Sequence, residues 1–110
     1  MKAIYLLISL LISVSSVAAS NNILIIGDSL SAGYGIKIEE SWPVLLQDKI
    51  TQDGLDYHVH NASISGQTSS EGVSQVDQLL RLTKPKLVIL ELGANDGLRG
   101  LSIDEMQRNL

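Results

Sequence analysis

Three short stretches carry the residue types that chemistry needs: Gly27-Asp28-Ser29-Leu30-Ser31, Ala62-Ser63-Ile64-Ser65-Gly66 and Gly93-Ala94-Asn95-Asp96-Gly97. Ser29 offers a hydroxyl on a tight turn, Gly66 a backbone N–H that no side chain blocks, and Asn95 a side-chain amide. A serine hydroxyl beside two or three fixed donors is the equipment of acyl transfer, a nucleophile with an oxyanion hole. Each stretch taken singly has a plainer reading. A Gly-Asp-Ser after a strand is more often a turn, and Gly-Ala-Asn-Asp-Gly has ordinary turn composition. Gly66 alone most often serves a turn with positive φ. Asp28 and Asp96 read as carboxylates that bond their own loop backbone, Tyr34 as loop packing and Trp42 as helix packing.

The set lacks a base. Two histidines, His58 and His60, are the whole supply, and there is no cysteine. At i and i+2 of a strand their side chains point the same way, which would permit a two-ligand metal face. No carboxylate or third histidine is placed to complete it, so no metal is expected. A general base must also come within ~3 Å of the serine hydroxyl, beyond the strand ends, whereas these two lie inside a strand. They read as partly exposed strand residues. The glycine-rich run from Gly27 to Gly35 could nest a phosphate, but it matches neither nucleotide-binding glycine pattern and no lysine follows it.

The elements that must position these loops follow from patterning. Ile23-Leu24-Ile25-Ile26 and Leu87-Val88-Ile89-Leu90 are continuous apolar runs, which predicts strands buried on both faces of a parallel sheet. Tyr57 to Asn61 reads as a weaker strand. Between them, Ser41 is placed to cap a helix with Pro43 in its first turn and Trp42, Leu45, Leu46 and Ile50 on one face. Thr68 to Glu71 has the spacing of a capping box, followed by Val73, Val76 and Leu80. Lys84-Pro85 ends that helix. Ser102 to Glu105 is a second capping-box spacing, with Ile103, Met106 and Leu110 following. The order β-α-β-α-β-α calls for a parallel sheet with helices on both sides and a site beyond the strands' carboxyl ends. The last helix has a start signal and no C-cap, and a three-stranded sheet leaves an edge strand wanting a neighbour. Both features suggest the first half of a larger α/β domain.

Composition narrows the classes. The chain has 110 residues, 8 basic and 12 acidic, with a net charge of −4. Its sequence pI near 4.9 excludes a generic nucleic-acid binder. Aromatic content of 4% is too sparse for base-stacking platforms. Met1-Lys2, the uncharged run Ile4 to Val14 and Val17-Ala18-Ala19 have the anatomy of a cleavable secretory signal over residues 1–19. The apolar run is shorter than the ~20 residues a spanning helix needs, so no stable membrane insertion is expected after cleavage. Residues 20–110 are then an exported, thiol-free, acidic domain, periplasmic or secreted.

As a set, the three loops resemble the GDSL family, also called SGNH hydrolases, and within it the bacterial periplasmic branch of thioesterases, lysophospholipases and arylesterases. The likeness is carried by Ile25 to Gly35, Ser41-Trp42-Pro43 with Leu45-Leu46, Asn61 to Gly66, and Glu91 to Gly100, in the family's order. The resemblance implies a flavodoxin-like three-layer α/β/α sandwich, here its N-terminal half. It implies Ser29 as nucleophile and oxyanion N–H, Gly66 and Asn95 as the other oxyanion donors, and Asp28 as a loop-ordering residue. It also implies no cofactor, a monomer, and a small acyl ester or thioester substrate. The family's Asp-x-x-His block, which supplies the base, is not matched: Asp56 precedes His58 and His60 at the wrong spacing. The 110-residue chain alone is therefore expected to be nearly inactive. Two other readings stay open: a shortened non-catalytic relative that binds acyl or glycan ligands in the same crevice, and an unrelated flavodoxin-like binding module.

Overall fold

The structure is a computed structural model that describes residues 20–110; the expected signal segment, residues 1–19, lies outside the described residues. Three strands form one parallel sheet, β1 (Asn22–Gly27), β2 (His58–Asn61) and β3 (Leu87–Glu91), in the spatial order β2-β1-β3. The helices are α1 (Ser29–Ala32), α2 (Trp42–Gln52), α3 (Ser69–Thr83), α4 (Ala94–Leu98) and α5 (Ile103–Asn109), with a 3-10 turn at Ile38–Glu40. Right-handed crossovers from β1 to β2 and from β2 to β3 lead in opposite directions and so place α2 and α3 on opposite faces of the sheet. The α/β expectation is met, with all three strands parallel.

The core is β1. Its residues Ile23 to Ile26 are at most 7% exposed, as a continuous apolar run in a central parallel strand should be. The same expectation fails for β3. Leu87, Val88 and Leu90 are 51%, 40% and 49% exposed, because among the described residues β3 stands at the edge of the sheet.

The helix signals divide similarly. The Thr68–Glu71 capping box is present in both directions: Thr68 Oγ1 accepts from Glu71 N–H and the Glu71 carboxylate accepts from Thr68 N–H. Ser102 Oγ accepts from Glu105 N–H at the start of α5. Ser41 does not cap α2; its hydroxyl donates instead to the Ile38 carbonyl at 2.6 Å, closing the 3-10 turn. Leu45, Val73, Leu80, Ile103 and Leu110 are exposed, so the apolar stripes are only partly covered. Tyr34 is exposed too and packs no loop.

Candidate active site

The first loop is a strand, a turn and a short helix. β1 ends at Gly27, Asp28 caps α1 by accepting Leu30 N–H at 3.0 Å, and Ser29 is the first helical residue. Asp28 is 1% exposed and Ser29 is half-buried. The expected bond from Asp28 to its own loop is thus present. Gly27 is needed for space: a Cβ there would lie 2.7 Å from Ser31 Oγ and 3.0 Å from Glu91 Oε1. Glu91, at the end of β3, accepts from Ser31 Oγ at 2.7 Å and from Asp28 N–H at 3.3 Å. Ser31 Oγ in turn accepts from Trp42 Nε1 at 3.2 Å, so Trp42 braces the serine turn.

The second loop is fastened to the first. Ala62 N–H donates to Ile25 C=O and Ile64 N–H to Gly27 C=O, at 2.8 and 3.0 Å, carrying the loop over the end of β1. Asn61 Nδ2 donates to the Ser31 carbonyl at 2.7 Å. Gly66 then turns with φ +82°, a conformation that L side chains rarely adopt.

The third loop closes over both. Asn95, in the first turn of α4, donates through Nδ2 to the Gln67 carbonyl at 3.1 Å and lies 3.4 Å from Asp28 Oδ2. Arg99 donates through Nη2 to the Gly66 carbonyl at 2.8 Å. Asp96 does not stop at its own loop, as its sequence position suggests. It reaches α3, accepting from Ser69 N–H at 2.8 Å and from Ser69 Oγ at 2.7 Å. Burial pushes the Asp96 carboxyl up, yet the Ser69 hydroxyl, the Ser69 N–H, its own backbone and Arg99 outweigh it and hold the carboxyl below its ordinary value.

Asp28, the Gly66 loop and Asn95 are therefore brought to one end of the sheet, with Ser29 next to Asp28. The histidines are not among them. His58 pairs with Asn22 and His60 with Leu24, toward the amino end of β1. At about 3.3 Å per residue, His60 sits roughly 10 Å down the strand from Gly27. His60 Nε2 is engaged with Asn22 Oδ1 at 3.0 Å, and both histidines are exposed. A groove of about 500 Å³ lies between α2 and β2 and touches the site loops through Ala32, Asn61 and Ser63. A smaller cleft of about 190 Å³ runs beside Gly66 and is bordered by Gln67, Glu71, Gln75 and Arg99.

Sequence reasoning missed Glu91 and Arg99 as individual contributors. Glu91 carried a usable signal, an acidic residue ending an otherwise apolar strand on the side where the loops converge. Arg99 carried none, because its bond to Gly66 spans 33 residues.

Comparison with known proteins bears on this arrangement. The model of the GDSL-like lipase/acylhydrolase family matches residues 25–110. The esterase TesA of Pseudomonas aeruginosa is 45% identical over 91% of this chain and 50% of its own length. The thioesterase 1/protease 1/lysophospholipase L1 of Escherichia coli is 45% identical over 84% of this chain and 43% of its own. The crystal structure of the psychrotrophic esterase EstA from Pseudoalteromonas sp., inhibited by monoethylphosphonate, superposes with a TM-score of 0.77 at 51% identity, over 82% of this chain and 49% of that one. The chain spans about half the length of the relatives it matches.

Proposed function

This chain belongs to the GDSL-like lipase/acylhydrolase family, and from that premise we propose that it carries the nucleophile and oxyanion donors of an exported hydrolase of acyl esters or thioesters. The observation that carries the reading is the convergence of Asp28, Gln67 and Asn95 at the carboxyl end of the sheet, beside Ser29. Ser29 Oγ attacks the acyl carbonyl as its proton passes to a general base, and the carbonyl oxygen becomes an oxyanion. The N–H groups of Ser29 and Gly66 and the Asn95 amide stabilise that charge. The C–O or C–S bond to the leaving group then breaks, the leaving group takes the proton, and water releases the acid from Ser29.

The base is neither His58 nor His60, which are paired with Asn22 and Leu24, three or more residues short of Gly27. It belongs to the Asp-x-x-His block that the family resemblance implies and this chain does not match. Asp28 orders the serine turn and takes no proton in the reaction. Loss of a base in a serine hydrolase costs on the order of 10⁶ in turnover, so this chain alone hydrolyses esters barely or not at all.

Covalent trapping tests Ser29 without requiring turnover. A fluorophosphonate is attacked by Ser29 Oγ, an O–P bond forms, fluoride leaves and the proton goes to solvent. After long incubation in mildly alkaline solution, peptide mapping is expected to place the adduct on Ser29, and Ser29→Ala is expected to remain unlabelled. Labelling that prefers another residue over Ser29, or that persists in Ser29→Ala, overturns the assignment.

A further inference from the structure

Three consecutive backbone N–H groups at the serine turn have different fates. Asp28 N–H donates to Glu91 Oε1 at 3.3 Å, and Leu30 N–H donates to Asp28 Oδ1 at 3.0 Å. Ser29 N–H, between them, has no protein acceptor among the described residues. A first-turn N–H lacks an intrahelical partner in any helix. Here the peptide groups on either side are both tied, so the one that carries Ser29 N–H is held from two sides with its hydrogen free.

Glu91 supplies one of those ties from another strand. The register of β1 with β3 sets Glu91 beside Gly27. With no side chain on Gly27, the carboxylate reaches across to the turn; a Cβ there would lie 3.0 Å from Oε1. The same Oε1 accepts the hydroxyl of fully buried Ser31 at 2.7 Å. A carboxylate can only accept, so the Ser31 hydrogen is committed to it and Ser31 Oγ keeps its lone pairs for Trp42 Nε1–H. No ion pair engages Glu91 among the described residues. One oxygen, held by neutral donors, thus fixes the residue before Ser29 and the residue two beyond it.

We propose that Glu91 is a positioning residue for Ser29: it holds the turn in the one conformation that leaves Ser29 N–H free and aims the Ser29 hydroxyl. Its consequence for rate rests on the hydrolase reading. Its hold on the Asp28 amide does not, and is measured separately. What matters is the acceptor oxygen rather than the charge, because both hydrogens go to Oε1.

The test follows fluorophosphonate labelling of the 110-residue chain over time, with free imidazole as the base. Ser29 Oγ forms the O–P bond, fluoride leaves and imidazole takes the hydroxyl proton. Several probe concentrations separate the maximal rate from the concentration that half-saturates it. Glu91→Met removes the acceptor at similar length. It is expected to lower the maximal rate at least about tenfold with half-saturation unchanged, since a misplacement of about 1 Å can cost on the order of 10² in rate. Glu91→Gln keeps an oxygen for both hydrogens and is expected to stay within about threefold of the parent. Hydrogen exchange at the Asp28 amide reads the hold without any reaction, and is expected to quicken at least about tenfold in Glu91→Met and little in Glu91→Gln. If Glu91→Met fails to fold, Ser31→Ala takes its place; it removes one of the two bonds to Oε1 and is expected to slow labelling several-fold. Labelling at the parent rate in the substituted chain, or an equal loss in Glu91→Gln, overturns the proposal. Labelling that prefers another residue over Ser29 overturns the hydrolase reading instead. In that case, or where the parent takes no label, the Asp28 amide decides alone, and exchange unchanged by the substitution overturns the hold.

Discussion

Asp96 accepts both polar hydrogens that Ser69 offers, the N–H at 2.8 Å on Oδ1 and the hydroxyl at 2.7 Å on Oδ2. Both residues are buried. Ser69 is the first residue of α3, three beyond Gly66, and Asp96 follows Asn95 in α4. One carboxylate thus sets the spacing between the loop that turns at Gly66 and the helix that carries Asn95. Asn109 Nδ2 adds a bond to Ser69 Oγ at 3.0 Å, which draws α5 into the same joint.

Asp96→Asn keeps the shape and removes the charge; with its Oδ1 on the Ser69 N–H, its Nδ2 faces the Ser69 hydroxyl, which must turn to accept and leaves its own hydrogen without the carboxylate acceptor. Leaving such a buried group poorly satisfied costs about 1–3 kcal/mol. Urea unfolding of the chain and the variant is expected to show a lower midpoint with an unchanged slope. A midpoint equal to the parent's would mean that the joint carries no net stability.

The same carboxylate makes stability depend on pH. Its folded pKa lies below the ordinary value of 3.8, so the folded state holds it ionised where the unfolded chain already binds a proton. Its stabilisation is complete above the unfolded value and is lost as pH falls through the lower folded one. Glu71 shifts in the same direction, chiefly because Thr68 N–H and then the Thr68 hydroxyl donate to it. Thermal midpoints are therefore expected to fall below about pH 4, and Asp96→Asn is expected to flatten part of that slope. An identical acid profile in the variant would remove Asp96 from this role.

Gly27 is the narrowest point of the serine turn. A methyl group there would sit 2.7 Å from Ser31 Oγ and 2.8 Å from Ser31 Cβ, with Glu91 Oε1 at 3.0 Å. The serine side chain would have to leave Glu91 or the turn would have to shift. Gly27→Ala is expected to cost about 1–3 kcal/mol and to change the emission of Trp42, whose indole N–H is held by Ser31. Unchanged emission and stability would show that the turn has slack.

The central strand, the loop positions and the Thr68–Glu71 capping box were legible because each rests on local pattern: an apolar run closed by glycine, small residues after a strand, a Thr-x-x-Glu spacing. The fate of β3 was not. Its sequence asks for cover on two faces, and whether neighbours exist is a property of the whole sheet rather than of four residues. Ser41 shows the same limit at short range, since a serine before a helix can cap it or close the preceding turn, and the 3-10 turn took the hydroxyl. The pairs Glu91 with Ser31 and Arg99 with Gly66 are 60 and 33 residues apart. No periodicity reports bonds of that span.

Arg99, which caps the C-terminal end of the helix that carries Asn95, fixes the carbonyl side of Gly66. Arg99→Ala frees that carbonyl and is expected to speed hydrogen exchange at Ser65 to Gln67 several-fold, with the rest of the sheet unaffected. The guanidinium is exposed, so little global stability should be lost. Exchange unchanged at those amides would mean that the turn at Gly66 is held by its own backbone and by Asn95 alone.

Asn95 offers two N–H hydrogens and has two neighbours that want them. The bond to the Gln67 carbonyl is the shorter, at 3.1 Å, and the approach to Asp28 Oδ2 is long at 3.4 Å. The first fixes the amide; on the hydrolase reading, the second is weak enough to yield its hydrogen to a developing oxyanion. On the hydrolase reading, Asn95→Ala in a form completed by its base is expected to lower kcat by about 10²–10³ with KM little changed, because the hydrogen is given in the transition state. The lost bond to Gln67 should lower stability by only about 1 kcal/mol. A kcat that falls no further than that stability loss accounts for would make Asn95 a brace for the Gln67 loop and leave the oxyanion to backbone donors.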